Sequence, residues 1–81
     1  MDFAEQLGLR IQQFRRGKGM TQEALAVRAV LTRAYLSQIE NGKSWIRIDT
    51  LEAICKGLEI QPWQLLLGID LGIGQPITPR T

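Results

Sequence analysis

Residues 31–43 read "LTRAYLSQIENGK", and four of them carry groups suited to reading the edge of another molecule: Arg33, Ala34, Ser37 and Gln38. Their offsets of one, four and five place them on one contiguous stripe at 3.6 residues per turn. An arginine offers a rigid fork of donors, a glutamine both donor and acceptor, a serine a hydroxyl. Ala34 adds only a methyl. Leu36 and Ile39 fall on the other side, where they anchor the helix to a core. The stripe alone fits ordinary solvated surface as well as a recognition face, and Arg33 taken by itself reads first as a solvated charge.

Other chemistry is poorly supplied. The 81 residues include no histidine, so the commonest general base is missing, and no nucleophile is paired with a base. The single cysteine, Cys55, cannot form an internal disulfide, and no metal-ligand spacing exists. It follows Leu51 by four positions and precedes Leu58 by three, the stripe of a buried core thiol. The residues therefore suggest no enzyme, metal, cofactor or small-molecule ligand. No apolar run approaches the ~20 residues of a membrane span; the longest, "LLLGI", is broken by Gly68. The opening "MDFAEQLG" is acidic and lacks a signal pattern. A cytoplasmic protein without a membrane partner is expected.

Net charge is only +2, but it is unevenly placed. The segment from Arg10 to Arg47 holds eight bases against Glu23 and Glu40, a net +6, and the rest of the chain carries −4. A basic middle between acidic ends suits one positive face for a polyanion. Scattered solvated charge is the competing reading.

The elements that position these groups are helices. Phe3, Leu7, Ile11 and Phe14 give a first amphipathic helix at about 2–16, stopped by "GKG" at 17–19. Thr21 caps a second, with Glu23 in the first turn and Leu25, Ala26 and Ala29 inside. Thr32 caps a third that ends near Glu40 at "NG". Ile48, Leu51, Ile54, Cys55 and Leu58 make a fourth, at about 48–57. Pro62 opens a fifth, with Trp63, Leu66 and Leu67 as its apolar side and Gly68 as its end. Residues 1–68 form one all-α domain. Residues 69–81, "IDLGIGQPITPRT", read by default as a mobile tail, with a dimer arm as the alternative.

The second and third helices are separated by only two or three residues, which forces a steep crossing, the helix-turn-helix geometry. Small Ala26 allows the close approach. One face of the third helix is then held by Tyr35, Leu36 and Ile39 and the other is free, the division needed to enter a major groove. At these residues, "MTQEALAVRAVLTRAYLSQIENGK" resembles the phage-repressor (lambda-repressor-like) family of helix-turn-helix regulators. The resemblance extends from about Leu7 to Leu67. "LTRAYLSQIE" followed by "DTLEAICKGLEI" most resembles the controller proteins of restriction–modification systems.

The resemblance implies a compact five-helix domain that binds double-stranded DNA and regulates transcription. It places Gln22 as a phosphate clamp at the start of the second helix, where free N–H groups and the helix dipole also favour an anion. It makes Arg33 a base reader able to engage guanine O6 and N7, with Ala34, Ser37 and Gln38 at neighbouring base-contacting positions. Thr32, Lys43, Ser44 and Arg47 fall where relatives hold phosphate. Arg15 and Glu40 match a structural ion pair. Four positions depart from the family pattern: Val30 replaces a turn glycine, Ala34 is often polar, Arg47 replaces a small hydroxyl cap, and Glu59 replaces a helix-ending glycine.

A useful site needs two reading helices, so a homodimer on a near-palindromic operator is expected, its helices about 34 Å apart. Ile60, Trp63, Leu66 and Leu67 are the candidate dimer interface. Trp63, Leu66 and Leu67 read equally as closure of the monomer core. The rival function is an antitoxin or other interaction module that binds a protein through this apolar C-terminal group.

Overall fold

The computed structural model describes residues 1–74. Five helices follow one another: α1 (Phe3–Gly17), α2 (Gln22–Ala29), α3 (Arg33–Glu40), α4 (Ile48–Leu58) and α5 (Pro62–Leu66). No strand occurs among the described residues. The all-α reading and the order of elements hold.

Local chemistry sets the starts of the first three helices. Asp2 and Glu5 close a reciprocal capping box on α1, with Glu5 N donating to Asp2 Oδ1 at 2.8 Å and Asp2 N to Glu5 Oε1 at 2.9 Å. The Thr21 hydroxyl accepts from Ala24 N, and that of Thr32 from Tyr35 N, both at 3.0 Å. Arg47, at the cap of α4, makes no side-chain cap bond. Asp49 supplies the missing acceptor instead, taking Thr50 N at 2.9 Å.

Helices α1 to α4 all end in a left-handed residue with a reversed hydrogen bond behind it. The residues are Gly19, Val30, Gly42 and Glu59, with φ of 70°, 57°, 70° and 59°. Met20, Leu31, Lys43 and Ile60 then donate their N–H groups back to Arg15, Ala26, Gln38 and Cys55 at 2.8–3.0 Å. Val30 keeps the turn geometry of a glycine and carries the strain of a β-branched side chain there.

The core is built from Leu7, Ile11, Leu25, Ala26, Ala29, Leu36, Ile39, Ile54, Cys55, Leu58 and Leu65. α1 packs on α3 and α5, and α2 packs on α3 and α4. Gly8 permits the first of these contacts, because a Cβ there would lie within 2.8 Å of the Glu40 carbonyl oxygen. Ala26, 4% exposed, allows the close approach of α2 that its size suggested.

Three core assignments need correction. Phe3 and Ile48 are exposed, Ile48 by 86%. Each is the first residue of its helix, so its side chain lies beyond the end of the packed stripe. On α5 the buried residue is Leu65, while Trp63 and Leu67 are each 64% exposed and Leu66 is also at the surface. The three outer residues therefore do not close the monomer core. Gly68 breaks the chain, with φ of 84°. Beyond it Ile69 packs against the core. The Gln6 amide grips the Asp70 backbone in both directions, at 2.7 and 2.8 Å. Residues 75–81 of the expected tail lie outside the described residues.

Candidate nucleic-acid interface

The third helix is divided as a reading helix must be. Leu36 and Ile39 are buried, while Arg33, Ala34 and Gln38 are exposed and Ser37 is half-buried. Tyr35 lies at the boundary and fixes the following loop by donating its hydroxyl to the Trp45 carbonyl at 3.1 Å. Asn41 Nδ2 donates to the Ser37 carbonyl at 2.9 Å and lies 3.4 Å from its hydroxyl. Ala34 and Gln38 have no side-chain partner among the described contacts, which leaves them free toward solvent.

The start of α2 lies across this helix. Gln22 Nε2 donates to Glu40 Oε1 at 3.0 Å, at the C-terminal end of α3. Its neighbour Glu23 approaches Arg33 at the N-terminal end, Oε2 to Nε, at 3.1 Å. Two consecutive side chains thus span α3 from end to end. Behind Gln22, Arg15 and Glu40 form a two-pronged pair, Nε to Oε2 at 2.7 Å and Nη2 to Oε1 at 3.0 Å. Arg15 Nη1 also donates to the Met20 carbonyl at 2.7 Å, just before α2. The Glu40 side chain is fully buried; among the described residues Arg15 balances its charge and the Gln22 amide donates one further hydrogen bond to it. The cluster links α1, the start of α2 and the end of α3, and it sets the direction of the Gln22 side chain.

Thr32 caps α3 with its hydroxyl, and its position places it beside Arg33. Lys43 is exposed and Ser44 half-buried, both in the loop between α3 and α4. Arg47 is exposed and pairs with Asp49 at 3.1 Å. Their hydrogen bond raises the affinity of Arg47 for its proton and holds the Asp49 carboxyl below the usual range.

Charge counting missed the work done by other arginines. Arg10 donates to the carbonyls of Gln64 and Leu65, at 2.7 and 3.4 Å, and so satisfies the end of α5. Arg28 does the same for Gly57 near the end of α4, at 3.2 Å. With Arg15 buried, three of the eight bases hold the fold together. Arg16, Lys18, Arg33, Lys43 and Arg47 remain at the surface. The sequence also gave no role to Trp45, which is 93% exposed. It borders a groove of about 420 Å³ between the start of α1 and the loop after α3.

Away from α3, Trp63, Leu66 and Leu67 make an exposed apolar group beside half-buried Ile60. Cys55 is buried, and desolvation pushes its thiol above the usual range. No described helix is long and apolar enough to cross a membrane.

Residues 11–62 match the helix-turn-helix family. The chain is 42% identical over 60 residues to the control protein C.BamHI of Bacillus amyloliquefaciens, covering 73% of this chain and 74% of the relative. It is 34% identical over 70 residues to the control protein C.MunI of Mycoplasma sp, covering 85% and 95%. Among solved structures, the restriction-modification controller protein C.Esp1396I, as a tetramer with its natural 35 base-pair operator, is 37% identical with a TM-score of 0.74; the match covers 82% of this chain and 88% of that one.

Proposed function

The chain belongs to the helix-turn-helix family, and on that footing we propose that it is a transcriptional regulator that binds a near-palindromic operator in double-stranded DNA as a homodimer. The observation that carries this reading is the division of α3, with Leu36 and Ile39 locked inside and Arg33, Ala34 and Gln38 exposed outside. A helix held in this way can enter a major groove without losing its packing. The similarity to control proteins supports a role as a restriction–modification controller. The work is done by occupancy of the operator, in the cytoplasm.

Each residue then has a task. Arg33 reads a guanine edge with paired donors, the Ala34 methyl suits a thymine methyl, and Ser37 and Gln38 contact neighbouring bases. Gln22, Thr32, Lys43, Ser44 and Arg47 hold phosphates and set the register without carrying sequence information. Arg15 and Glu40 position Gln22 rather than touch DNA. The Trp63, Leu66 and Leu67 group joins two subunits by one self-complementary patch with Ile60.

Selection of bound sites from random duplex DNA, with stoichiometry measured on the winning site, tests the reading. Two half-sites about one helical turn apart are expected, occupied by two chains, or by four if two dimers share an operator. Affinity should fall steeply with salt, each neutralised phosphate adding about −0.9 to the log–log slope. Recovery of no preferred sequence, or an affinity indifferent to salt, overturns it.

A further inference from the structure

The segment from Arg10 to Arg47 carries only two acids. Glu40 is buried and paired inside the fold. Glu23 is therefore the single exposed carboxylate in the basic segment, and it stands against Arg33. Both side chains are open to solvent, 67% and 62% exposed. A pair so exposed contributes little to stability, and a carboxylate at a phosphate-binding surface opposes affinity for DNA. Its place in the first turn of α2 suits the helix dipole, but that role does not require a contact with Arg33.

The geometry gives that contact a reason. Glu23 engages Arg33 through Nε. A guanidinium has two donor edges suited to paired bonds: the side edge, which includes Nε, and the end edge, formed by the two terminal nitrogens. With Glu23 on the Nε side as an ion pair, the end edge of the Arg33 guanidinium is the one left for a further partner. Guanine O6 and N7 are a matching pair of acceptors in the major groove. A phosphate, in contrast, must bring its negative oxygens close to the Glu23 carboxylate to take the same arginine.

We propose that Glu23 is a specificity-determining residue, which acts by positioning Arg33 for a base edge and repelling phosphate from it. The inference rests on the assignment of α3 as the reading helix. Without the carboxylate, Arg33 is free to swing onto the backbone of any duplex. Affinity for DNA in general then rises while preference falls.

Glu23→Gln in the full chain tests this, since it keeps the size of the side chain and removes the charge. Binding is measured to the preferred operator, to the same operator with the guanine opposite Arg33 replaced, and to a random duplex. The guanine position is first located as the preference that Arg33→Ala erases. The operator-to-random affinity ratio should fall about tenfold, mostly through tighter random binding, and guanine discrimination should fall about three- to tenfold, part of what a paired contact provides. In an Arg33→Ala background, Glu23→Gln should leave the operator-to-random affinity ratio unchanged. A mere helix-start role for Glu23 would shift melting but not base preference. If the wild type selects an operator and Glu23→Gln keeps both ratios, the positioning role is wrong while the regulator reading stands. If Glu23→Gln lowers the operator-to-random ratio as much without Arg33 as with it, Glu23 acts by a route other than Arg33 and the proposal also fails. A wild type without sequence preference overturns both readings.

Discussion

Replacing Arg15 by methionine should remove much of the stability of the domain, and replacing Glu40 by leucine in the same chain should restore most of it. The Glu40 carboxylate is fully buried, and Arg15 provides two of its three hydrogen bonds. Without Arg15, the Gln22 amide is the one donor to that charge left among the described residues. Breaking a buried pair from one side costs about 3–5 kcal/mol. A domain of 81 residues has a total stability of roughly 4–12 kcal/mol. With a urea m-value of about 1 kcal/mol/M, the unfolding midpoint should fall by about 3 M or more. The double variant leaves no orphan charge, and such apolar replacements are often neutral or stabilising by about 1–4 kcal/mol. DNA binding should not recover in parallel. Gln22 loses its anchor at Glu40, so affinity should drop on all sequences while base preference is kept. Urea unfolding at one fixed protein concentration, because dimerisation contributes to stability, would be compared with fluorescence anisotropy on labelled duplexes. A single variant within about 1 kcal/mol of wild type, or a double variant no more stable than the single, refutes the reasoning.

Trp63→Ala should weaken dimerisation by at least about 30-fold if Trp63 anchors the interface, and DNA binding should weaken with it while helical content stays intact. Sedimentation equilibrium checks this, and a wild type still monomeric at high protein concentration would leave the exposed group without this role. Val30→Gly should stabilise the domain by about 0.5–1 kcal/mol, since relief of left-handed strain exceeds the entropy of an added glycine. Val30 is 89% exposed, so no packing is lost; thermal melting should show a rise of a few degrees. The Cys55 thiol should resist a thiol reagent in the native protein and react at once in denaturant. Burial raises its proton affinity in the fold, so its contribution to stability is intact below the ordinary thiol range and declines as pH rises through it.

Features set by a few adjacent residues were legible in the sequence. Thr21 and Thr32 cap because a short hydroxyl side chain reaches the next turn, a matter of three residues. The inner faces of α1 to α4 recur often enough for a helical period to show. On α5 that signal fails: five residues make little more than one turn. Trp63, Leu66 and Leu67 look like a face, while Leu65 between them is the residue that reaches the core. The exposed stripe of the candidate site on α3 was legible, but not its connections. Arg10 meets Gln64 and Leu65 across 54 and 55 positions, and Arg28 meets Gly57 across 29. No local spacing rule finds such partners, so counting charges overstated the surface available to DNA. Glu23 and Arg33 are ten positions apart on different helices, beyond the i,i+4 rule. The rarity of acids in the basic segment was the one sequence signal that pointed to them.

Val30 and Glu59 show how the geometry of this site survives unfavourable local chemistry. Both occupy left-handed positions, each at a cost of roughly 1–2 kcal/mol for a side chain other than glycine. In each case the next residue donates its N–H back into the helix, Leu31 to Ala26 at 2.8 Å and Ile60 to Cys55 at 3.0 Å. The side chains of Leu31 and Ile60 pack against the core directly after these turns. Burying a large aliphatic side chain is worth about 1.5–3 kcal/mol when complete, enough to offset the strain even when partial. The conformation is thus imposed by the packing on either side of the turn and not by the turn residue. For the pair of helices that form the candidate interface, this matters directly. A different conformation at Val30 would swing α3 away from the start of α2 and separate Gln22 from Glu40 and Glu23 from Arg33. Relief of strain by Val30→Gly should therefore leave operator preference unchanged, because the contacts of Leu31, and not the side chain at position 30, fix the direction of the reading helix.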